Sequence, residues 1–273
     1  MNDSNQDLAF FITSFGSLND YGSTLSQTKQ ALDHQDTTYL NHDNPADQAL
    51  FQDALDGIKA VQQLGFTVEG IKAINRSFVH SETEDPMIPG HLRNSLYNTD
   101  DNISVNTNQY LNSHQGLVLE TYFPPEVVTD EMVQAIINQY QQSSHAPIDQ
   151  WRVFADLAKL QPFQDGNKRT ALIVANAASD AFASHEYLVL PLNALDHSDF
   201  MNNLMRYYQT DNHDVKRQNE LLNRMVSLVP DKAAQQQLWR QQEEHTRPTN
   251  ALPTRKFIVN YSAMNDRASG NTK

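Results

Sequence analysis

The sequence has no cysteine. Disulfides and thiolate metal centres are therefore excluded. Positive charge is scarce: 20 Lys and Arg stand against 33 Asp and Glu, for a formal net charge of −13. Such a balance argues against general binding to nucleic acid, which needs a basic face. No apolar run approaches the length of a membrane span. The stretch Met1 to Asp7 is polar and lacks the basic start of a signal peptide. The expectation is a soluble cytoplasmic protein with no membrane partner, and export without a cleaved signal stays open. No internal repeat is present. At 273 residues the chain is long enough for one large domain, or for a domain with extensions.

What is there is mostly helical periodicity. Leu8, Phe11, Ile12 and Phe15 have helical spacing. Thr24 or Ser26 caps a second helix, with Leu25, Ala31 and Leu32 available for burial. Asn41 to Asp47 reads as a turn. Ala49 to Leu64 is amphipathic, with Leu50, Ala54, Ile58 and Val61 on one stripe, and Gly65 ends it. Thr67 caps the next helix, which carries Val68, Ile71, Ile74 and Phe78. Ser81 to Pro89 is a polar loop. Ile103 to Tyr122 is rich in Asn, Ser, Val and Tyr with partial alternation, and predicts a short hairpin.

Beyond the hairpin, Pro124-Pro125-Glu126 predicts a helix start, with Val127, Met132, Val133, Ile136, Ile137 and Tyr140 on it. Ser143 to Pro147 breaks that helix. Two more helices follow, from about Ile148 to Leu160 and from about Asn167 to Phe182. Trp151 and Phe163 are read as core anchors. Ala171, Val174, Ala175, Ala178 and Phe182 form a small-residue stripe suited to a close-packed central helix. Tyr187 to Leu192 reads as an edge segment, and Asp199 to Tyr208 and Val215 to Val229 as helices. Lys256 to Tyr261 could make one short strand, and disorder is expected from Asn265 onward. The organisation is N-terminal helices over 1–70, a core domain over 71–210, and a helical extension with a polar tail over 211–273.

The chemistry concentrates between two of these helices, in Gln161-Pro162-Phe163-Gln164-Asp165-Gly166-Asn167-Lys168-Arg169-Thr170. A glycine at a helix start lets the backbone approach a ligand. The free N–H groups and the positive end of the helix dipole favour a phosphate there. Lys168 and Arg169 add positive charge, and a guanidinium can fork onto phosphate oxygens. Asp165 could hold Mg2+ bridging those oxygens, or cap the helix. Arg169 could clamp phosphate or form an ion pair with Asp165 or Asp156.

This stretch resembles the signature of the Fic/Doc family, roughly His-Pro-Phe-x-(Asp/Glu)-Gly-Asn-(Gly/Lys)-Arg. Pro162, Phe163, Asp165, Gly166, Asn167 and Arg169 fall in unbroken register with it. Gly90-His91-Leu92-Arg93 resembles the Gly-x-x-Arg element upstream of the family's flap. The resemblance implies a mainly α fold, a Fic-type helical bundle whose β-hairpin flap is Ile103 to Tyr122. It implies transfer of AMP from ATP, with Mg2+, to a Ser, Thr or Tyr hydroxyl of a target protein. Gly166, Asn167, Lys168 and Arg169 would bind the nucleotide and Asp165 the metal.

Two positions depart from the pattern. The family's catalytic histidine position holds Gln161, and an amide does not titrate near neutral pH. Lys168 and Leu172 stand where Fic adenylyltransferases usually carry Gly and Arg, which is closer to the phosphotransferring Doc branch. His80, His91 and Asp156 are candidates for a replacement base. The family's inhibitory motif, (Ser/Thr)-x-x-x-Glu-(Gly/Asn), has no counterpart, because no glutamate in the chain follows Ser or Thr by four residues. The expectation is an adenylyltransferase fold with reduced activity. A nucleotide-dependent binding module, a Doc-like phosphotransferase and a scaffold partner are the alternatives, and homo-oligomerisation stays open.

Overall fold

The computed structural model describes residues 3–44, 46–80, 88–112 and 116–246. The chain opens with α1 (Asp3–Gly16) and α2 (Leu25–His34). Thr24 caps α2 in a capping box: its hydroxyl accepts from Gln27 N, and the Gln27 side chain accepts from Thr24 N. Two longer elements follow, α3 (Ala46–Leu64) and α4 (Val68–Arg76). Thr67 Oγ1 accepts from Gly70 N at 3.0 Å, so the cap expected of Thr67 forms. Phe78 lies just past the end of α4 and is buried there.

The hairpin is present as β1 (Val105–Asn112) and β2 (Gly116–Tyr122), antiparallel, with a bulge between Asn106 and Asn108. After it come α5 (Asp130–Gln141), α6 (Pro147–Leu160), α7 (Asn167–Ala178), the single turn α8 (Ala181–Ser184), α9 (Ala194–Gln209), α10 (Val215–Leu228) and α11 (Lys232–Thr246). The fold is thus mainly α with one small two-stranded sheet among the described residues. No described helix is long and apolar enough to cross a membrane.

At the centre lies α7. Its residues Asn167 and Arg169 through Asn176 are buried, so burial extends well beyond the stripe that periodicity predicts. A helix enclosed on most sides needs close neighbours. Gly57 supplies one such approach: a Cβ there would sit 2.6 Å from Ile173 Cδ1 and 3.2 Å from Phe78 Cε1, so a larger residue would have to push the Ile173 side chain aside. On its other sides α7 meets α4 and α6. Phe163 and Trp151, read as core anchors, are buried in the same core.

Three expectations shift. The helix predicted from Pro124 begins instead at Asp130. The reason is competition for the backbone: Ser95 N donates to Glu126 O and Val128 N to Arg93 O, both at 2.9 Å, so 126–128 is extended against 93–95. The helix predicted from Asn167 to Phe182 breaks after Ala178, where Asp180 is left-handed with φ 56°. The Tyr187–Leu192 segment joins no sheet. Its N–H groups at Leu188 and Leu190 donate to Asn176 Oδ1 (2.8 Å) and Ser14 Oγ (2.6 Å) instead. The strand expected over Lys256–Tyr261 and the disorder expected from Asn265 lie outside the described residues, as does most of the Ser81–Pro89 loop.

Candidate functional site

Helix α6 ends at Gln161, which is left-handed with φ 50° and ψ 60° and caps the helix. Five residues later Gly166 is again left-handed, with φ 73°, and opens α7. A Cβ at Gly166 would lie 2.9 Å from Phe78 Cδ2 and 3.0 Å from Asn75 Nδ2, so both its backbone and its surroundings select glycine. No side chain caps α7. The turn therefore presents a helix N-terminus without an internal carboxylate or hydroxyl on it, the arrangement an anion can use.

Asn167 folds this turn from inside. Its Oδ1 accepts from Phe163 N at 2.8 Å, and its Nδ2 donates to Phe163 O at 2.7 Å and to Gln161 Oε1 at 3.0 Å. Gln161 is 6 % exposed. Its Nε2 donates to Ala158 O at 2.6 Å and lies 3.4 Å from Tyr208 Oη. Both ends of the Gln161 amide are thus engaged by the protein. Burial pushes the Tyr208 phenol well above its ordinary range, so it remains a neutral neighbour.

Arg169 is 2 % exposed. Its guanidinium pairs with Asp165 Oδ2 at 3.3 Å and reaches Asp53 Oδ2 at 3.8 Å, and it lies over the Phe78 ring. Of the two ion pairs read from the sequence, the Asp165 pair forms. Asp156 instead accepts from Tyr207 Oη, on the side facing α9. Asp165 is the outward member of the group, with its side chain 44 % exposed. Lys168 is partly buried and has no ion-pair partner among the described residues. Burial lowers its pKa, with the Asp165 charge opposing the shift.

Arg93, the arginine of the Gly-x-x-Arg element, is a tie between main-chain segments. It donates to Gln161 O (2.6 Å), Asp101 O (2.8 Å) and Pro125 O (3.0 Å), and its own N donates to Pro162 O at 2.9 Å. The motif turn, the 99–101 turn and the strand before α5 are locked together by this one buried side chain. His91 Nε2 lies 3.6 Å from Asp101, and Asp101 accepts from Gln164 Nε2 at 2.6 Å. His80 lies 3.4 Å from Asp56, and its N–H donates to Asp53. None of His80, His91 and Asp156 has a hydrogen bond to Gln161 among the described residues.

Sequence reasoning missed Asn75, Asp53 and Asp101. Asn75 Nδ2 donates to Asp165 O at 2.9 Å, and its Oδ1 accepts from Gly90 N at 2.7 Å. A signal existed for two of them: Asn75 follows Ile71 and Ile74 on the apolar face of α4, and Asp53 sits three residues after Leu50 on that of α3. A buried polar residue on an apolar stripe marks a specific partner.

The Fic/DOC family model matches residues 65–179. That segment runs from the end of α3 through α7 and contains the whole turn. The structure is similar to that of a Fic-domain-containing signalling protein from Bacteroides thetaiotaomicron, at 16 % identity and a TM-score of 0.55, over 87 % of this chain and 86 % of that one. It is also similar to a Fic family protein from Desulfovibrio desulfuricans, at 12 % identity and a TM-score of 0.54, over 90 % of this chain and 68 % of that one. The family model and these neighbours together support the Fic/DOC family, and at such identities the structural likeness is one of fold. No curated protein matches the chain. The β1–β2 hairpin is anchored beside the turn through Tyr122, whose ring lies 5.4 Å from that of Tyr208.

Proposed function

We propose that this chain binds the phosphates of a Mg-nucleotide at the N-terminus of α7, and that it transfers AMP from ATP to a target-protein hydroxyl at a strongly reduced rate. The observation that carries this reading is the engagement of Gln161. In such a transfer the hydroxyl oxygen attacks the α-phosphorus, pyrophosphate leaves, and the hydroxyl proton must go to a base. Gln161 stands at the position of that base. Its Oε1 accepts from Asn167 and its Nε2 donates to Ala158 O. An amide so placed neither takes a proton nor turns freely toward a substrate, and loss of a general base costs about 10²–10⁴ in rate.

The residues present fit a Mg-nucleotide. Mg2+ is usually held by one or two carboxylates together with substrate phosphates and water, not by an all-protein cage. Asp165 is an exposed carboxylate beside an uncapped helix start, and no cluster of three or more potential protein ligands occurs among the described residues. Bound there, the ion would neutralise phosphate charge. The α7 N–H groups would receive phosphate oxygens, Lys168 would add a nearby cation, and Arg169 would position Asp165. Lys168 also favours a second reading, the Doc-like one, in which the γ-phosphate is passed to the hydroxyl: it is a partly buried amine without an ion-pair partner among the described residues.

Calorimetric titration with ATP, with and without Mg2+, tests the binding step. Saturable binding that weakens without Mg2+ and in Asp165→Asn is the expected result. The absence of heat or of any perturbation at α7 would remove the reading.

A further inference from the structure

A groove of about 420 Å³ lies between the hairpin and the α9–α10 pair. Thr107 and Glu120 line it from the hairpin, Asn202, Arg206 and Gln209 from α9, and Arg217 from α10. In a chain with 33 acidic and 20 basic residues, this groove sets two guanidiniums against one carboxylate. Arg206 has no ion-pair partner among the described residues. Arg217 holds Glu220 at 3.0 Å, but both side chains are exposed, and such a pair exchanges readily for another carboxylate. The remaining groups are mostly amides and hydroxyls, which suit peptide N–H and C=O groups.

The lining also says what kind of anion fits. Glu120, Asn202, Arg206 and Gln209 are all exposed, so the groove is shallow. Small-molecule sites bury about 70–90 % of their ligand, which exposed walls do not provide. A chain segment lying along the groove needs no such enclosure. We infer that the groove binds an acidic segment of a partner protein, with carboxylates on Arg206 and Arg217 and main chain on the flanking amides. No residue of the 161–169 turn lines it, so this inference does not depend on the nucleotide reading.

The groove nevertheless bears on the turn. Gln209 Nε2 donates to Thr107 Oγ1 at 2.7 Å, and Thr107 is the bulged residue of β1. The preceding residue, Tyr208, touches Gln161 and packs on Tyr122. An occupant of the groove therefore contacts the joint between the hairpin and α9.

The test is fluorescence anisotropy with a labelled peptide of alternating Glu and Ser, beside a control with Gln in place of Glu. The wild-type protein should bind the Glu peptide, less tightly as salt rises, and not the Gln peptide. Arg206→Gln with Arg217→Gln should weaken binding about tenfold, as expected for two solvated ion pairs, with Mg-ATP binding unchanged. Gln209→Ala, which keeps the charge, should weaken it less. No binding of the Glu peptide, or equal binding by the double variant, would overturn the inference. So would competitive displacement of the peptide by inorganic phosphate, which would make the groove a small-anion site.

Discussion

Asn167 Nδ2 donates to Gln161 Oε1 at 3.0 Å, across the turn that joins α6 to α7. This bond ties the residue proposed to stand at the base position to the first residue of the helix that would receive phosphate. Asn167 also brackets Phe163 through its N–H and C=O. Replacing it by Ala leaves several buried polar groups without partners, each of which is costly. Asn167→Ala should lower stability by about 2–4 kcal/mol, measured by urea unfolding. A loss below about 0.5 kcal/mol would mean that the turn holds its shape without Asn167.

Gly166 makes a second demand on the same turn. Its φ of 73° and the contacts with Phe78 and Asn75 both oppose a Cβ. Gly166→Ala should cost about 1–3 kcal/mol and weaken Mg-ATP binding beyond what the stability change explains, because the α7 N-terminus would move. Unchanged melting and unchanged nucleotide affinity would contradict this account of the position.

Arg169 and Asp165 should separate in their effects. Arg169→Ala removes the cation beside Asp53, which is 0 % exposed, and breaking such a buried pair costs about 3–5 kcal/mol. Asp165 is exposed, so Asp165→Asn should change stability by less than about 1 kcal/mol while reducing Mg2+-dependent binding. Thermal melts beside calorimetry read both effects. If Asp165→Asn unfolds the protein, or Arg169→Ala leaves its stability intact, the assignment of inner and outer partner is reversed.

These contrasts show what the sequence could and could not convey. Thr24 and Thr67 announced their helices because capping is local, and Ile103 to Tyr122 announced the hairpin by composition. The motif register placed Gln161 through Arg169 on one turn. The partners of that turn were not legible: Asp53, Asn75 and Asp101 come from segments 60 or more residues away, and only folding brings them in. Residues 126–128 show the same limit, since Pro124 and Pro125 signal a helix start locally while pairing with 93–95 holds the backbone extended.

Asp156 gives a pH prediction. Burial raises its carboxyl pKa above 3.8, opposed by the hydrogen bond from Tyr207. A carboxylate raised in the folded state favours folding when protonated. That contribution is fully present below the unfolded pKa and is lost as pH climbs through the folded one. The stability of wild type relative to Asp156→Asn should therefore fall as pH rises from 3.8 toward neutrality. Urea unfolding of both proteins across that range measures the difference. A flat difference, or one that rises with pH, would contradict a carboxyl pKa raised in the folded state.

The most direct test of the central claim compares wild type with Gln161→His for transfer of label from ATP labelled at the α-phosphate. Histidine tolerates the left-handed backbone at this position. The account predicts faint protein-bound label with wild type and an increase of about 10²–10⁴ with Gln161→His, lost again in Asp165→Asn. Equal labelling by wild type and Gln161→His would contradict it, because Gln161 would then not stand where the base belongs.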